Sequence, residues 1–183
     1  DHIILRDYQK RAVKKIIDCL NENDKCLVKM FCGTGKTTVM LHHTISQNYD
    51  FSVFVFPSIA LITQFNKDYL QDKIWNITTN TMSVCSKEEI ENLKSKPSTI
   101  AKSLFTTDTT KISQFLSNNN KKIVSVTYDS YKTLIASMTD TGCYPDITNF
   151  DEAHHVVENK VRECVFSDDF RGRRIFYTAT PRN

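Results

Sequence analysis

Two glycines, a lysine and a threonine lie close together in the first quarter of this 183-residue chain. Residues 30 to 37 are Met-Phe-Cys-Gly-Thr-Gly-Lys-Thr, which matches the core of a phosphate-binding loop. In such a loop the backbone N–H groups surround the phosphates, Lys36 contacts the outer phosphates and the Thr37 hydroxyl binds Mg²⁺. The full pattern has glycine where Met30 stands. The alternative interpretation is an ordinary strand–turn–helix corner.

An acidic pair lies far downstream of the lysine. Asp151 and Glu152 precede Ala153 and His154, and they follow the short strand-like segment Asp146–Phe150. An acidic residue at the carboxyl end of a parallel strand is where a nucleotide-bound magnesium is anchored. The pattern therefore predicts that Asp151 holds Mg²⁺ and that Glu152 orients and polarises an attacking water. Two acids at a helix N-terminus, favoured by the helix dipole, are the alternative.

These side chains need strands and helices that bring them to one edge. Cys26–Met30 predicts a buried strand, and Thr37–Tyr49 predicts a helix whose positive N-terminus faces the phosphates. Alternating strand-like and helix-like segments predict an α/β fold with a predominantly parallel central sheet and helices on both faces. Ligands of such sheets bind at the carboxyl ends of the strands. Further strands are predicted at Phe51–Phe56, Thr81–Cys85, Lys122–Thr127 and Arg174–Tyr177.

Helix signals fill the intervals between these strands. The four-residue spacing of apolar residues predicts a helix over Asp7–Leu20 with Asp7 as its cap, and Val156–Phe166 predicts another. Ser58 is a candidate helix cap, and Ser86 with Glu89 forms a capping-box pattern. The segment between Trp75 and Lys122 is poorer in signals, and it includes a predicted loop at Lys94–Thr99.

The sequence resembles the first RecA-like domain of superfamily 2 helicases and translocases. Besides the two motifs above, Thr178-Ala179-Thr180-Pro181 matches the family, and the Asp-Glu-Ala-His form is similar to DEAH-type, restriction-enzyme-like and viral members. Weaker segments follow in the expected order: residues 5–9 resemble an adenine-reading element, 55–64 resemble motif Ia, and 126–130 resemble a strand-end motif that touches nucleic acid. Ser58 departs from the pattern, which has a basic residue there.

The resemblance implies a RecA-like P-loop NTPase domain that uses ATP and Mg²⁺ to move on or unwind DNA or RNA. Catalysis would rest on Lys36, Asp151 and Glu152, and the metal ligands would be Thr37 and Asp151. The coupling of hydrolysis to motion would involve His154, Thr178 and Thr180. Nucleotide contacts are expected at Arg6, Gln9, Cys32, Gly33, Thr34, Gly35, Lys36, Thr37 and Thr38. Contacts with the nucleic-acid backbone are expected at Pro57, Ser58, Gln64, Thr127 and Ser130.

Composition sets limits on the other classes of protein. Apolar residues make up 40% and charged residues 25% of the chain, as in a globular domain, and the net charge of +3 is only mildly basic. The six cysteines lack metal-binding spacing, which predicts buried thiols in a reducing, intracellular compartment rather than a secreted protein. No segment has membrane-spanning length. We expect residues 1–183 to be one domain of a longer chain, with an arginine supplied by a second RecA-like domain.

Two other functions remain open at this level. One is a P-loop ATPase that acts on protein or transfers phosphate and never binds a polynucleotide. The other is a scaffold that keeps the fold without the chemistry, although the joint presence of Lys36, Thr37, Asp151 and Glu152 argues against it.

Overall fold

The computed structural model describes residues 3–91, 105–158 and 160–180, apart from the side chain of residue 158. The predicted loop Lys94–Thr99 and Pro181 lie outside the described residues. Within them, the strands in chain order are β1 (Lys25–Phe31), β2 (Phe51–Phe56), β3 (Asn80–Val84), β4 (Phe105–Thr106), β5 (Lys122–Thr127), β6 (Ile147–Phe150) and β7 (Arg173–Thr180). The helices are α1 (Asp7–Glu22), α2 (Lys36–Ser46), α3 (Ile59–Phe65), α4 (Lys87–Glu91), α5 (Thr109–Leu116), α6 (Tyr131–Thr141), α7 (His154–Glu158) and α8 (Arg162–Val165).

The strands form one sheet in the order β1-β7-β6-β2-β5-β3-β4, and every strand pair in it is parallel. The sequence-based prediction of an α/β fold with a parallel sheet is therefore confirmed. Because all strands point the same way, the carboxyl ends of β1, β2, β5, β6 and β7 lie at one edge. We call this edge the carboxyl edge of the sheet.

The sheet separates two hydrophobic clusters, as expected when helices cover both faces. One cluster joins α1, α2 and α3 to the sheet, and the other joins α5, α6, α7 and α8 to it. Strands β2, β5 and β6 are buried at every residue, which explains the apolar run of β2, although β5 and β6 also bury polar residues. None of the helices in the described parts of the chain is long and apolar enough to cross a membrane.

Several element boundaries differ from the sequence-based predictions. The helix α1 begins at Asp7, but its cap is Arg6, whose backbone N–H donates to Gln9 Oε1 at 2.9 Å. The single helix predicted at Val156–Phe166 is two short helices, α7 and α8. By contrast, Ser58 does cap α3, since its Oγ accepts the Leu61 N–H at 3.3 Å.

Helix α2 carries a buried histidine whose protonation affects stability. His43 is 1% exposed, and burial, followed by the charges of His42 and Arg173, lowers its pKa from 6.5 to about 4. The folded protein therefore keeps this imidazole neutral at pH values where the unfolded chain already binds a proton. It follows that folding is progressively weakened as the pH falls from 6.5 towards 4.

We predict that the free energy of unfolding drops by about 1–2 kcal/mol between pH 7 and pH 5 because of His43. Urea denaturation at both pH values measures this drop, and His43→Gln should reduce it. The matched control is His154→Gln, because the His154 side chain is 54% exposed. An equal pH dependence in wild type and His43→Gln would contradict the prediction.

Candidate active site

The three predicted catalytic side chains meet at the carboxyl edge of the sheet. Lys36 is the first residue of α2, and Asp151 and Glu152 directly follow β6. The Lys36 ammonium lies 2.9 Å from Asp151 Oδ1 and also donates to Glu152 Oε1. Groups 116 positions apart in sequence thus form one ionic cluster.

Burial and the neighbouring charges act in opposite directions on the pKa values of Asp151 and Lys36. Asp151 is 5% exposed, and burial raises its pKa although the charge of Lys36 acts in the opposite direction. Burial alone would lower the pKa of Lys36, but the carboxylates of Asp151 and Glu152 outweigh it and raise that pKa. Lys36 is therefore a permanent cation, and it partly offsets the cost of burying an acid.

The turn that carries the two acids is fixed by its neighbours. The Asp151 N–H donates to the Val55 carbonyl at 2.9 Å, and the Tyr128 hydroxyl donates to the Asp151 carbonyl at 2.6 Å. Glu152 has a φ of +47°, a left-handed conformation that residues other than glycine rarely adopt. Strained backbone of this kind is concentrated at functional sites.

The segment predicted to bind phosphates is held in place by α1. The Tyr8 hydroxyl and Gln9 Nε2 both donate to the Thr34 carbonyl, at 2.9 and 3.2 Å. Gly35 has a φ of +77°, and a Cβ there would stand 2.5 Å from Gln9 Nε2. A larger residue there would have a strained backbone and would displace the Gln9 amide from this position. The role of Tyr8 was missed by the sequence analysis, because its spacing marked only the apolar side of a helix.

The side chain of Gln9, expected to contact adenine, lies against this segment. Its Oε1 accepts from the Arg6 N–H and one amide hydrogen goes to Thr34, which leaves the second amide hydrogen for a ligand. A cavity of about 660 Å³ opens beside it, and Arg6, Tyr8, Gly33 and Thr34 are among the residues that line it. Another cavity of about 650 Å³ lies between α6 and residues 167–171, and none of the predicted site residues lines it.

The remaining predicted nucleotide contacts lie around the start of α2. Thr37 and Thr38 are in its first turn, and Thr38 Oγ1 is 3.3 Å from the Tyr69 hydroxyl. Cys32 is exposed, and its backbone N–H donates to the Thr180 carbonyl at 3.2 Å. The end of β1 is thus joined to the end of β7.

The residues expected to bind magnesium fit a hard cation. Thr37 and Asp151 offer a hydroxyl and a carboxylate, the oxygen ligands that Mg²⁺ prefers. Across residues 3–91, 105–158 and 160–180 there is no group of three or more His, Cys, Asp and Glu residues arranged to hold a metal by itself.

Of the predicted coupling residues, His154 contacts the ionic cluster, and Thr180 contacts the strand before the phosphate segment. His154 Nδ1 lies 3.7 Å from Glu152 Oε2. Thr180 Oγ1 donates to the Met30 carbonyl at 3.3 Å, just before the phosphate segment. Thr178 lies two residues earlier on β7, in register with Lys29.

The predicted nucleic-acid residues differ in how exposed they are to solvent. Pro57 and Ser58 follow β2, and Gln64 is exposed on α3. Thr127 ends β5 and Ser130 follows it, but both are buried, and their hydroxyls donate to Glu89. Glu89 was expected only as part of a capping box, and no local pattern signals its contact with residues 38 and 41 positions away.

Comparisons with known proteins agree with this arrangement. The family model described as "Type III restriction enzyme, res subunit" matches residues 2–183. No curated protein matches the sequence. Among solved structures, a nuclease-deletion mutant of the Type ISP restriction-modification enzyme LlaGI, in complex with a DNA substrate mimic, is 26% identical with a TM-score of 0.75. The ATP-dependent Type ISP enzyme LlaBIII, bound to DNA, gives the same identity and TM-score.

The chain is similar to only a part of these large enzymes. The matches cover 99% and 98% of this chain, but 18% of LlaGI and 13% of LlaBIII. The Hef helicase domain of Pyrococcus furiosus, 16% identical with a TM-score of 0.58, shares the fold; that match covers 99% of this chain and 36% of the Hef chain. Together with the match to the family model, these likenesses show that the chain belongs to the type III restriction enzyme res-subunit family (ResIII) and has the first RecA-like domain of superfamily 2 helicases and translocases.

Proposed function

We propose that this domain binds ATP with Mg²⁺ and hydrolyses it to drive movement on, or unwinding of, a nucleic acid. The observation that carries the proposal is the convergence of Lys36, Asp151 and Glu152 at the carboxyl edge. A cation with two acids at the start of a helix is the arrangement that phosphoryl transfer to water requires.

Each residue has a separate task in this proposal. Lys36 exchanges its carboxylate partners for the outer phosphates, and Thr37 and Asp151 hold the magnesium. When bound, the metal neutralises the charge of the phosphate oxygens. Glu152, released from Lys36, orients the attacking water and accepts its proton. Residues 32–38 surround the phosphates, while Arg6 and Gln9 contact the base.

The coupling of hydrolysis to motion would use hydrogen bonds that join the site to β7. Thr180 donates to the Met30 carbonyl before the phosphate segment, and the Ala153 N–H, next to Glu152, donates to the Tyr177 carbonyl. We assign His154 to the same path because it lies next to Glu152. Thr178 is the third residue that we assign to this path, because of its position on the same strand.

The position of the predicted contact residues and the related structures both support a nucleic acid as a partner. Pro57, Ser58 and Gln64 lie at the same edge as the nucleotide site, and groups of this kind contact phosphates without reading sequence. DNA in two of the related structures supports DNA as the polymer. We also propose a second RecA-like domain that supplies an arginine to the terminal phosphate, a contribution of roughly 10³–10⁵ in rate.

The first prediction concerns nucleotide binding, because hydrolysis by these residues without the arginine is expected to be slow. Lys36→Met should weaken the binding of a fluorescent ATP analogue with Mg²⁺ by at least about tenfold, since charge-assisted contacts to phosphate are lost. Glu152→Gln should leave binding within about threefold, because it acts only on the water. Lys29→Met, a change of an exposed lysine on β1, is the control. Unchanged binding by Lys36→Met would favour a scaffold.

A second prediction distinguishes the effect of Asp151 on the stability of the fold from its proposed role in binding magnesium. Because burial raises its pKa above 3.8, the folded state binds more protons than the unfolded state just above that pH, and stability falls as the pH rises through this window. Asp151→Asn removes the buried charge and should raise the free energy of unfolding at pH 7 by about 1 kcal/mol. Magnesium-dependent nucleotide binding should be lost.

The control for that variant is Asp140→Asn, a change of an exposed acid on α6. Urea denaturation at pH 4 and pH 7 measures both effects, and the advantage of Asp151→Asn should shrink at pH 4. A destabilised Asp151→Asn at pH 7 would show that the pair with Lys36 outweighs the cost of burial.

The third prediction distinguishes a nucleic-acid motor from a P-loop ATPase that acts elsewhere. Binding of single-stranded oligothymidylate should fall steeply with salt, with a slope of about −2 to −4 in log K against log salt, because each neutralised phosphate contributes about −0.7. Fluorescence anisotropy over a salt series measures the slope. Absence of binding at low salt would favour the other ATPase class.

A further inference from the structure

One carboxylate oxygen collects three hydrogen bonds at the carboxyl edge. Glu89 Oε1 accepts from the Thr127 hydroxyl at 2.8 Å, from the Ser130 hydroxyl at 3.0 Å and from the Ser86 N–H at 3.0 Å. The Ser130 N–H in turn donates to Thr127 Oγ1 at 3.3 Å. These donors come from two separate parts of the chain, so they form a small pocket around one anionic oxygen.

The chemistry of this pocket suits a phosphate oxygen as well as a carboxylate oxygen. A hydroxyl has a single proton to donate, and both protons here are given to Glu89. Phosphate and carboxylate oxygens are both anionic acceptors and take the same kind of charge-assisted hydrogen bond. As long as Glu89 is in place, Thr127 and Ser130 have no proton left for a nucleic acid.

The pocket lies next to the other residues proposed to contact the polymer. Thr127 is in register with Phe56, and the Tyr128 N–H donates to the Phe56 carbonyl at 3.0 Å. Ser58 follows two residues later, and its hydroxyl accepts the Leu61 N–H, a bond that does not use its own proton. A backbone crossing this edge would therefore meet both Ser58 and the pocket.

Helix α4, which carries Glu89, is weakly attached to the domain. It has five residues, none of them buried. Its capping box is local, with the Glu89 N–H donating to Ser86 Oγ at 3.1 Å. Short helices have little stability of their own, and without a buried apolar face α4 gains little from packing. Displacing the Glu89 side chain therefore costs less free energy than opening the sheet.

We propose that Glu89 occupies a phosphate-binding position formed by Thr127, Ser130 and the Ser86 amide, and that a backbone phosphate of the bound strand displaces it. This inference rests on the proposed action on nucleic acid and adds a specific competitor within the chain. Glu89 therefore weakens the binding of nucleic acid at this position, because a phosphate can enter only by replacing the three hydrogen bonds of Glu89.

The test measures binding of fluorescein-labelled oligothymidylate at low salt. Glu89→Gln keeps the hydrogen-bond acceptor but removes the charge that competes with phosphate, and it should tighten binding by roughly three- to tenfold. Glu88→Gln removes an exposed charge from the same helix and should change affinity by less than about twofold. Adding Thr127→Val, or Ser130→Ala, to Glu89→Gln should abolish most of the gain. Circular dichroism checks that each variant is folded.

The outcomes separate this inference from the proposed function. If wild type binds with the expected salt dependence and Glu89→Gln binds equally well, or if Glu88→Gln gives the same gain, the role of Glu89 is refuted and the function stands. A gain that survives in both double variants also refutes the pocket. If no variant binds at low salt, the proposed function fails, and this inference fails with it.

Discussion

The ion pairing of Lys36 with Asp151 and Glu152 is the constraint on which the site depends. A carboxylate that is 5% exposed is costly to bury, and a cation at 2.9 Å offsets that cost only in part. The carboxylate is therefore best explained by function, as a group held ready for a metal while the lysine is held ready for phosphates.

The sheet explains how residues from distant parts of the chain reach the same edge. Parallel strands end on one side, so the carboxyl ends of β1, β6, β7, β2 and β5 all border the carboxyl edge. The order of strands also separates the tasks. The residues proposed to contact phosphates and magnesium follow β1 and β6, on either side of β7, whereas the proposed nucleic-acid residues follow β2 or lie at and after the end of β5. Strand β6 lies beside β2, and the Asp151 N–H bonded to Val55 is a direct link between the two regions.

Much of the architecture was predictable because its signals are local. The buried strand β2 appears as an apolar run, Ser58 caps its helix through a bond three residues away, and glycines mark a loop with positive φ. The candidate site residues were named from motifs and from the family resemblance, and the predicted strand ends agreed with the positions of Lys36, Asp151 and Thr178. What the sequence did not reveal are partners that only the fold brings together: Tyr8 on the Thr34 carbonyl, Tyr128 on the Asp151 carbonyl, and Glu89 on Thr127 and Ser130. The break between α7 and α8 was missed as well, because the apolar pattern runs on from residue 156 to residue 166.

The most direct measurement of the central claim is a crystal structure of this chain with Mg²⁺ and a non-hydrolysable ATP analogue. The account predicts that the Lys36 ammonium leaves Asp151 and Glu152 for the outer phosphates, and that the metal is bound by Thr37 and, directly or through water, by Asp151. Glu152 should face the terminal phosphate. An analogue bound away from residues 33–37, or a lysine still paired with both acids beside bound phosphates, would contradict the account.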